Sequence, residues 1–348
     1  MLITGKREME LLMRGNFRWL GIPGIERTKK GRLFAAFYTG DRTENFGNYV
    51  PLYVSDDEGA TWRGPVAIAD FGDRARAYDE CLWIDPMGRL WFFYGRQPEH
   101  AVFASVCDNP DGDELIWSEE KFIGRDVMMN KPIVTGDGRW LLPIAVWKEQ
   151  ITAGESALQS RGEDRLAFVY ESRDNGETFT RLGGVDMPQR CFDEHMVYEK
   201  ENGDLRMLVR TFYGIGESTS RDGGLTWTAG QDSGLGGPCS RFHVKRLQSG
   251  NLLLINHVNF TGRSHLTALI SRDDGNTWEG GLLLDERSDV SYPDAVQAED
   301  GKIYAIYDRE RYAAREVLMA VFTEEEALAG TGGDLKKLVM KIPEGVKL

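Results

Sequence analysis

The positions best equipped for chemistry are Tyr78-Asp79-Glu80, Asn130-Lys131, Asp193-Glu194-His195, Arg241 with His243, and Tyr292 with Asp294, joined by Arg18 and Gly21 near the N-terminus. Each group stands just before or at the start of a short apolar run, so one structural address is ionisable again and again. Phenols and carboxylates move protons, and guanidiniums pair bidentately with carboxylates. A phenol titrates at about 10 and becomes nucleophilic at neutral pH only beside a base. A Tyr, His and Arg set also suits β-elimination of a uronate, with Arg neutralising the carboxylate and Tyr or His carrying the proton. His195, His243, His257 and His265 lack H-E-x-x-H or comparable spacing, so neither a metal nor a cofactor is expected. His195 and His243 are read as contacts to sugar hydroxyls or as a general acid.

The elements that must carry these groups repeat. Strand, Gly turn and strand recur at 22–37, 81–94, 131–146, 195–209, 243–257 and 292–307, with turn glycines Gly31, Gly88, Gly138, Gly203, Gly250 and Gly301. Spacing of roughly 50 residues suits a four-stranded sheet per repeat, and radial repetition of such sheets protects their edges. The expected fold is all-β, a six-bladed β-propeller with four-stranded antiparallel blades, forming one domain over 1–348 whose N-terminal segment closes the last blade. Helices are few; TEEEALAG (323–330) is the best short candidate.

A second pattern, S-x-D-x-G-x-T-[WF], is written as SDDEGATW (55–62), SRDNGETF (172–179), SRDGGLTW (220–227) and SRDDGNTW (271–278). Its Asp can accept backbone N–H groups in a tight turn, its Gly supplies positive φ, and its aromatic ring packs beneath. These boxes lack the length and terminal Glu of a calcium loop. They are expected to shape the later hairpin of a blade rather than to catalyse.

Composition narrows the function classes. Acidic residues (55) outnumber basic ones (42), with no Lys/Arg block, which argues against a nucleic-acid partner. No segment resembles a signal peptide or a long apolar span, so a cytoplasmic location away from membranes is expected. Cys81, Cys107, Cys191 and Cys239 show no paired spacing and read as free thiols of a reducing compartment, with Cys191 and Cys239, near the funnel positions, read as small buried residues.

On the boxes and the six strand-turn-strand units, the chain resembles the sialidase (neuraminidase) superfamily of Asp-box repeat proteins from about Gly15 to Tyr312. The resemblance implies an exo-acting glycoside hydrolase that cleaves a terminal acidic sugar, sialic acid or a relative, from an oligosaccharide or glycoconjugate. It places Tyr292, in SYPDAVQ, as nucleophile and Glu194 as its base. A Tyr nucleophile is a known exception to the two-carboxylate rule. Arg210, which ends the strand after the Gly203 turn, Arg241 and Arg18 are implied as the carboxylate clamp; His195, His243, Asp294 and Lys131 complete the implied substrate site. The acid/base is implied at Glu44, with Asp41 as the alternative. One departure stands out: where the resemblance places the first clamp arginine, this chain has Gly21, leaving Arg18 to reach inward. DRER (308–311) either lines the funnel or forms surface ion pairs. A uronate lyase built on Tyr292, His195 and Arg210, and a carbohydrate-binding propeller without turnover, remain as alternatives.

Overall fold

The chain folds into six antiparallel sheets, and the computed structural model describes residues 1–125, 127–147, 165–258 and 260–347. The innermost strands are 19–27, 76–84, 133–134, 196–199, 243–246 and 290–297, each followed outward by three more strands in chain order. The inner strands of the sixth and first blades lie against each other and close the ring, giving a six-bladed β-propeller. All six turn glycines take positive φ.

The N-terminus joins a different blade from the one expected. Leu2–Ile3 pairs with 63–69 at the outer edge of the first blade, whereas the last blade draws all its strands from 290–341. A helix, α1 (Lys6–Gly15), follows and buries Met9 against Tyr49 and Ile68. The candidate helix near the C-terminus forms as α2 (Glu324–Ala329). Thr323 and Glu326 make a reciprocal capping box, and Gly330 ends the helix in the left-handed conformation.

The four boxes share one hydrogen-bond pattern. In the first, Asp57 accepts from the Thr61 backbone N–H (2.9 Å), the Thr61 hydroxyl (2.6 Å) and Ser55 Oγ (2.8 Å), and Ser55 Oγ accepts from Gly59 N–H. Asp174, Asp222 and Asp273 repeat it. The Thr hydroxyl is the largest influence holding each of these carboxyls down at about 2. The aromatic residue of each box packs on the core shared with the preceding blade. Gly176 shows why glycine is needed: a Cβ there would lie 2.5 Å from Trp91 of the second blade. The boxes are therefore the joints between blades.

Candidate active site

The inner strands meet the funnel through backbone irregularities. Their pairing slips between Gly21 and Gly24, Tyr78 and Cys81, and Ser291 and Asp294, and inside these bulges Ile22, Asp79 and Tyr292 take positive φ (58°, 47° and 56°). A bulge re-aims the side chain it carries. In the fourth blade Phe192, Asp193 and Glu194 all have positive φ just before the strand begins. Non-glycine residues are strained there, so the surrounding fold must hold them.

These distortions bring together residues 98 apart in sequence. The Tyr292 hydroxyl donates to Glu194 Oε1 at 2.7 Å, and Arg210 Nη1 donates to the same oxygen and to Tyr292 Oη at 2.9 Å. All three are buried; Tyr292 and Arg210, with Arg263, Arg311 and Glu44, help to line a cavity of about 570 Å³, and Glu194 stands behind them. Burial raises the Tyr292 phenol, a rise that the Arg210 charge opposes. Burial also works against the Arg210 cation, but Glu194 and then Tyr292 outweigh it and keep the guanidinium charged.

The slot opened by Gly21 is occupied by Arg311. A Cβ on Gly21 would lie 2.6 Å from Arg311 Cδ, so any larger residue would expel that side chain. Asp308 and Glu44 grip Arg311 at 2.8 and 3.0 Å, and its guanidinium lies 4.3 Å from the centroid of the Tyr292 ring. Arg263 approaches the same ring at 5.3 Å. Among the described residues it has no carboxylate partner, and its Nη2 donates to the Cys239 carbonyl at 3.5 Å.

Glu44 lines the cavity, but its carboxylate is committed. Tyr38 Oη donates to it at 2.6 Å and Arg311 at 3.0 Å, with Arg76 3.6 Å away. Burial alone would raise this carboxyl; Arg311 and then Arg76 outweigh it and hold it below the usual carboxylate range. Asp79 is the converse. Burial pushes its carboxyl up to about 8 against the pull of Arg76, with Glu44 and Glu194 adding to the rise.

The other expected site residues lie elsewhere. Arg18 pairs with Asp41 at 3.0 Å on the surface, and neither lines the cavity. Arg241 is sealed in the channel, bonded to Asn130 Oδ1 (2.8 Å) and the Met129 carbonyl (2.8 Å). Asp294 joins that buried cluster, with Lys131 Nζ at 3.1 Å and His243 Nδ1 at 3.3 Å. Lys131 and His243 also edge a second cavity of about 580 Å³ at the far, turn-bearing end of the inner strands. His195 turns away to the Phe168 carbonyl at 2.6 Å, and burial lowers its ring to about 4. A strand start does not by itself say whether a side chain faces the cavity, the sealed channel or a neighbouring blade, so counting to it misplaces these residues. Arg263 was missed because it follows a second strand; Arg311 fell within DRER, read as lining the funnel or forming surface ion pairs, and the structure places it in the slot at Gly21.

Among the described residues no three His, Cys, Asp or Glu side chains converge as metal ligands, and no helix is long and apolar enough to cross a membrane.

Fold and site together define a sialidase-like propeller whose cavity is lined by Tyr292 and three guanidiniums, with Glu194 hydrogen-bonded to the phenol. The profile of the BNR repeat-like domain matches residues 31–305, and the chain belongs to that family. No curated protein matches by sequence. Among solved structures, the chain is similar to the Hadza microbial sialidase Hz136 (19% identity, TM-score 0.70, covering 89% of this chain and 67% of that one). It is also similar to the leech intramolecular trans-sialidase, solved with 2,7-anhydro-Neu5Ac (13%, 0.66, 91% and 70%). The intramolecular trans-sialidase of Ruminococcus gnavus, solved with oseltamivir carboxylate, is a third (13%, 0.63, 90% and 96%). At these identities the likeness speaks for the fold.

Proposed function

We propose that the protein is an exo-acting glycoside hydrolase that releases a terminal sugar bearing one carboxylate. The observation that carries this reading is the Tyr292–Glu194–Arg210 contact set, of which Tyr292 and Arg210 line the cavity. Tyr292 Oη attacks the anomeric carbon while Glu194 takes its proton, and the bond to the leaving oxygen breaks. Arg210 Nη1 stabilises the phenolate as it forms, and a neutral phenol avoids the repulsion that a carboxylate nucleophile would feel from an anionic sugar. Water then attacks the tyrosyl glycoside and gives a proton to the acid that protonated the leaving oxygen, the product departs, and the phenol recovers its proton from Glu194.

Arg263 is the guanidinium left to meet a substrate carboxylate, since Glu194 pairs with Arg210 while Asp308 and Glu44 both pair with Arg311. We assign protonation of the leaving oxygen to Asp79, which holds its proton at neutral pH, and we assign Glu44 to positioning Arg311. The lyase reading loses support because His195, its proton carrier, is bonded to a backbone carbonyl away from the cavity.

Incubation with a panel of acidic oligosaccharides tests the reading. Hydrolysis releases an intact reducing sugar, elimination creates an ultraviolet-absorbing unsaturated uronate, and a binding propeller yields neither. Folded Tyr292→Phe and Glu194→Gln proteins that still turned over at the parent rate would overturn it. Asp79→Asn should lose activity on oligosaccharides but keep it on an aryl glycoside whose leaving group needs no proton.

A further inference from the structure

Two thiols stand behind Arg210. Cys191 is buried immediately before the Phe192-Asp193-Glu194 run, and Cys239, which precedes the inner strand of the fifth blade, is half-buried. Arg210 Nε donates to the Cys239 sulfur at 3.3 Å while Nη1 of the same guanidinium serves Glu194 and Tyr292. The Cys191 thiol is hydrogen-bonded to Cys239. Backbone bonds tie the Cys191 segment to Arg210: Cys191 N–H donates to the Arg210 carbonyl (3.1 Å), and Arg210 N–H to that of Asp193 (2.8 Å). The other two cysteines, Cys81 and Cys107, are packed in separate hydrophobic cores, where burial pushes their thiols up.

We propose that Cys239 is a modification site whose sulfur takes peroxide or a soft electrophile, with Cys191 as the thiol that resolves the product. The chemistry follows from the surroundings. A thiolate, not a thiol, is the nucleophile, and adjacent cationic groups favour it. The hydrogen bond from Cys191 and the charge of Arg210 hold the Cys239 thiol down at about 6 against the opposing effect of burial. The Cys239 thiolate attacks hydrogen peroxide, forming a sulfur–oxygen bond and breaking the oxygen–oxygen bond to give a sulfenic acid and hydroxide. The Cys191 thiol then attacks that sulfur, a disulfide forms, and water leaves with the Cys191 proton. Two thiols are oxidised and one peroxide is reduced.

Closing this bridge removes the sulfur that accepts from Arg210 Nε and draws on the segment that carries Glu194. Oxidation therefore lowers turnover, a consequence that rests on the function proposed above; the modification itself does not.

The test uses mass spectrometry on the full chain and so needs no substrate. In wild type at about pH 6.5, iodoacetamide should alkylate Cys239 on the order of 10-fold or more faster than Cys107. Peroxide should remove two hydrogen atoms from the intact mass, yield a peptide linking Cys191 to Cys239, and be reversed by dithiothreitol. Cys191→Ser should stop at a sulfenic acid that dimedone traps on Cys239. Alkylation of Cys239 no faster than that of Cys107, or no dimedone adduct on residue 239 of folded Cys191→Ser protein, would overturn the proposal. The wild-type alkylation rates decide the matter even if the variant fails to fold.

Discussion

Two charged clusters lie along the same inner strands and use the same residue types, yet their environments differ. In the channel, Lys131 meets Glu26 and Asp294 at 3.2 and 3.1 Å and donates to the Ile25 and Leu82 carbonyls, while Arg241 is bonded to carbonyls of its own. Asp294 also accepts from the Ile25 backbone N–H at 2.9 Å, and Lys131 leads the influences that keep its carboxyl low despite burial. At the funnel, Tyr292 and Arg210 are just as buried but line a cavity with Glu194 behind them, and Arg263 carries a charge that no carboxylate among the described residues answers. A set of charges that answer one another fixes the blades to one another. A set with a missing partner is built to receive one.

The sharpest way to break this contrast is to remove one group from each side. Tyr292→Phe should lower kcat by about 10³-fold or more with little change in the thermal midpoint, read by steady-state kinetics beside calorimetry. Asp294→Asn should do the reverse: it leaves buried cations short of a partner and should cost about 3–5 kcal/mol in denaturant unfolding, with kcat of the folded fraction preserved. If Asp294→Asn left stability intact, the channel cluster would not be the structural element described above.

A finer comparison separates the arginines. Arg263→Ala should raise KM for a carboxylated substrate by about 10–100-fold with a smaller change in kcat, because a charge-assisted contact to the bound anion is lost. Arg241→Ala should lower stability and leave KM alone. Equal KM effects from the two would merge the sites that the structure separates.

A last contrast lies in pH dependence and concerns Asp79. Its carboxyl is raised from an ordinary 3.8 to about 8, so between those values the native state binds a proton that the unfolded chain has lost. The associated stability is fully present below the unfolded value and disappears as pH rises through about 8. The thermal midpoint of Asp79→Asn should therefore fall less than that of the parent between about pH 5 and pH 8.5. Parallel curves would show that Asp79 is not buried as a neutral acid.

Much of the fold was legible in the sequence. Six glycine turns, four boxes and the Thr323–Glu326 capping pair are local signals, each satisfied within a few residues by its own backbone. The N-terminal strand was misassigned because two residues, Leu2 and Ile3, can pair with any free sheet edge; the choice of the first blade comes with the packing of α1 on Ile68. For the site, Tyr292, Glu194 and Arg210 were reachable from strand starts and ends. Arg311, Arg263 and the protonated state of Asp79 were not, since each depends on which side chain fills which space.

The sequence alone determined the repeat, the turns and the residue types facing the channel, because hydrophobic alternation and turn chemistry act over short separations. Tertiary structure decided which of those ionisable groups are paired off and which face open space. Arg311 lies over Gly21 only because the sixth blade closes against the first, and the Asp79 carboxyl is pushed up only because the surrounding blades exclude water from it. Burial and charge pairing are sums over the whole molecule, and no stretch of residues contains them.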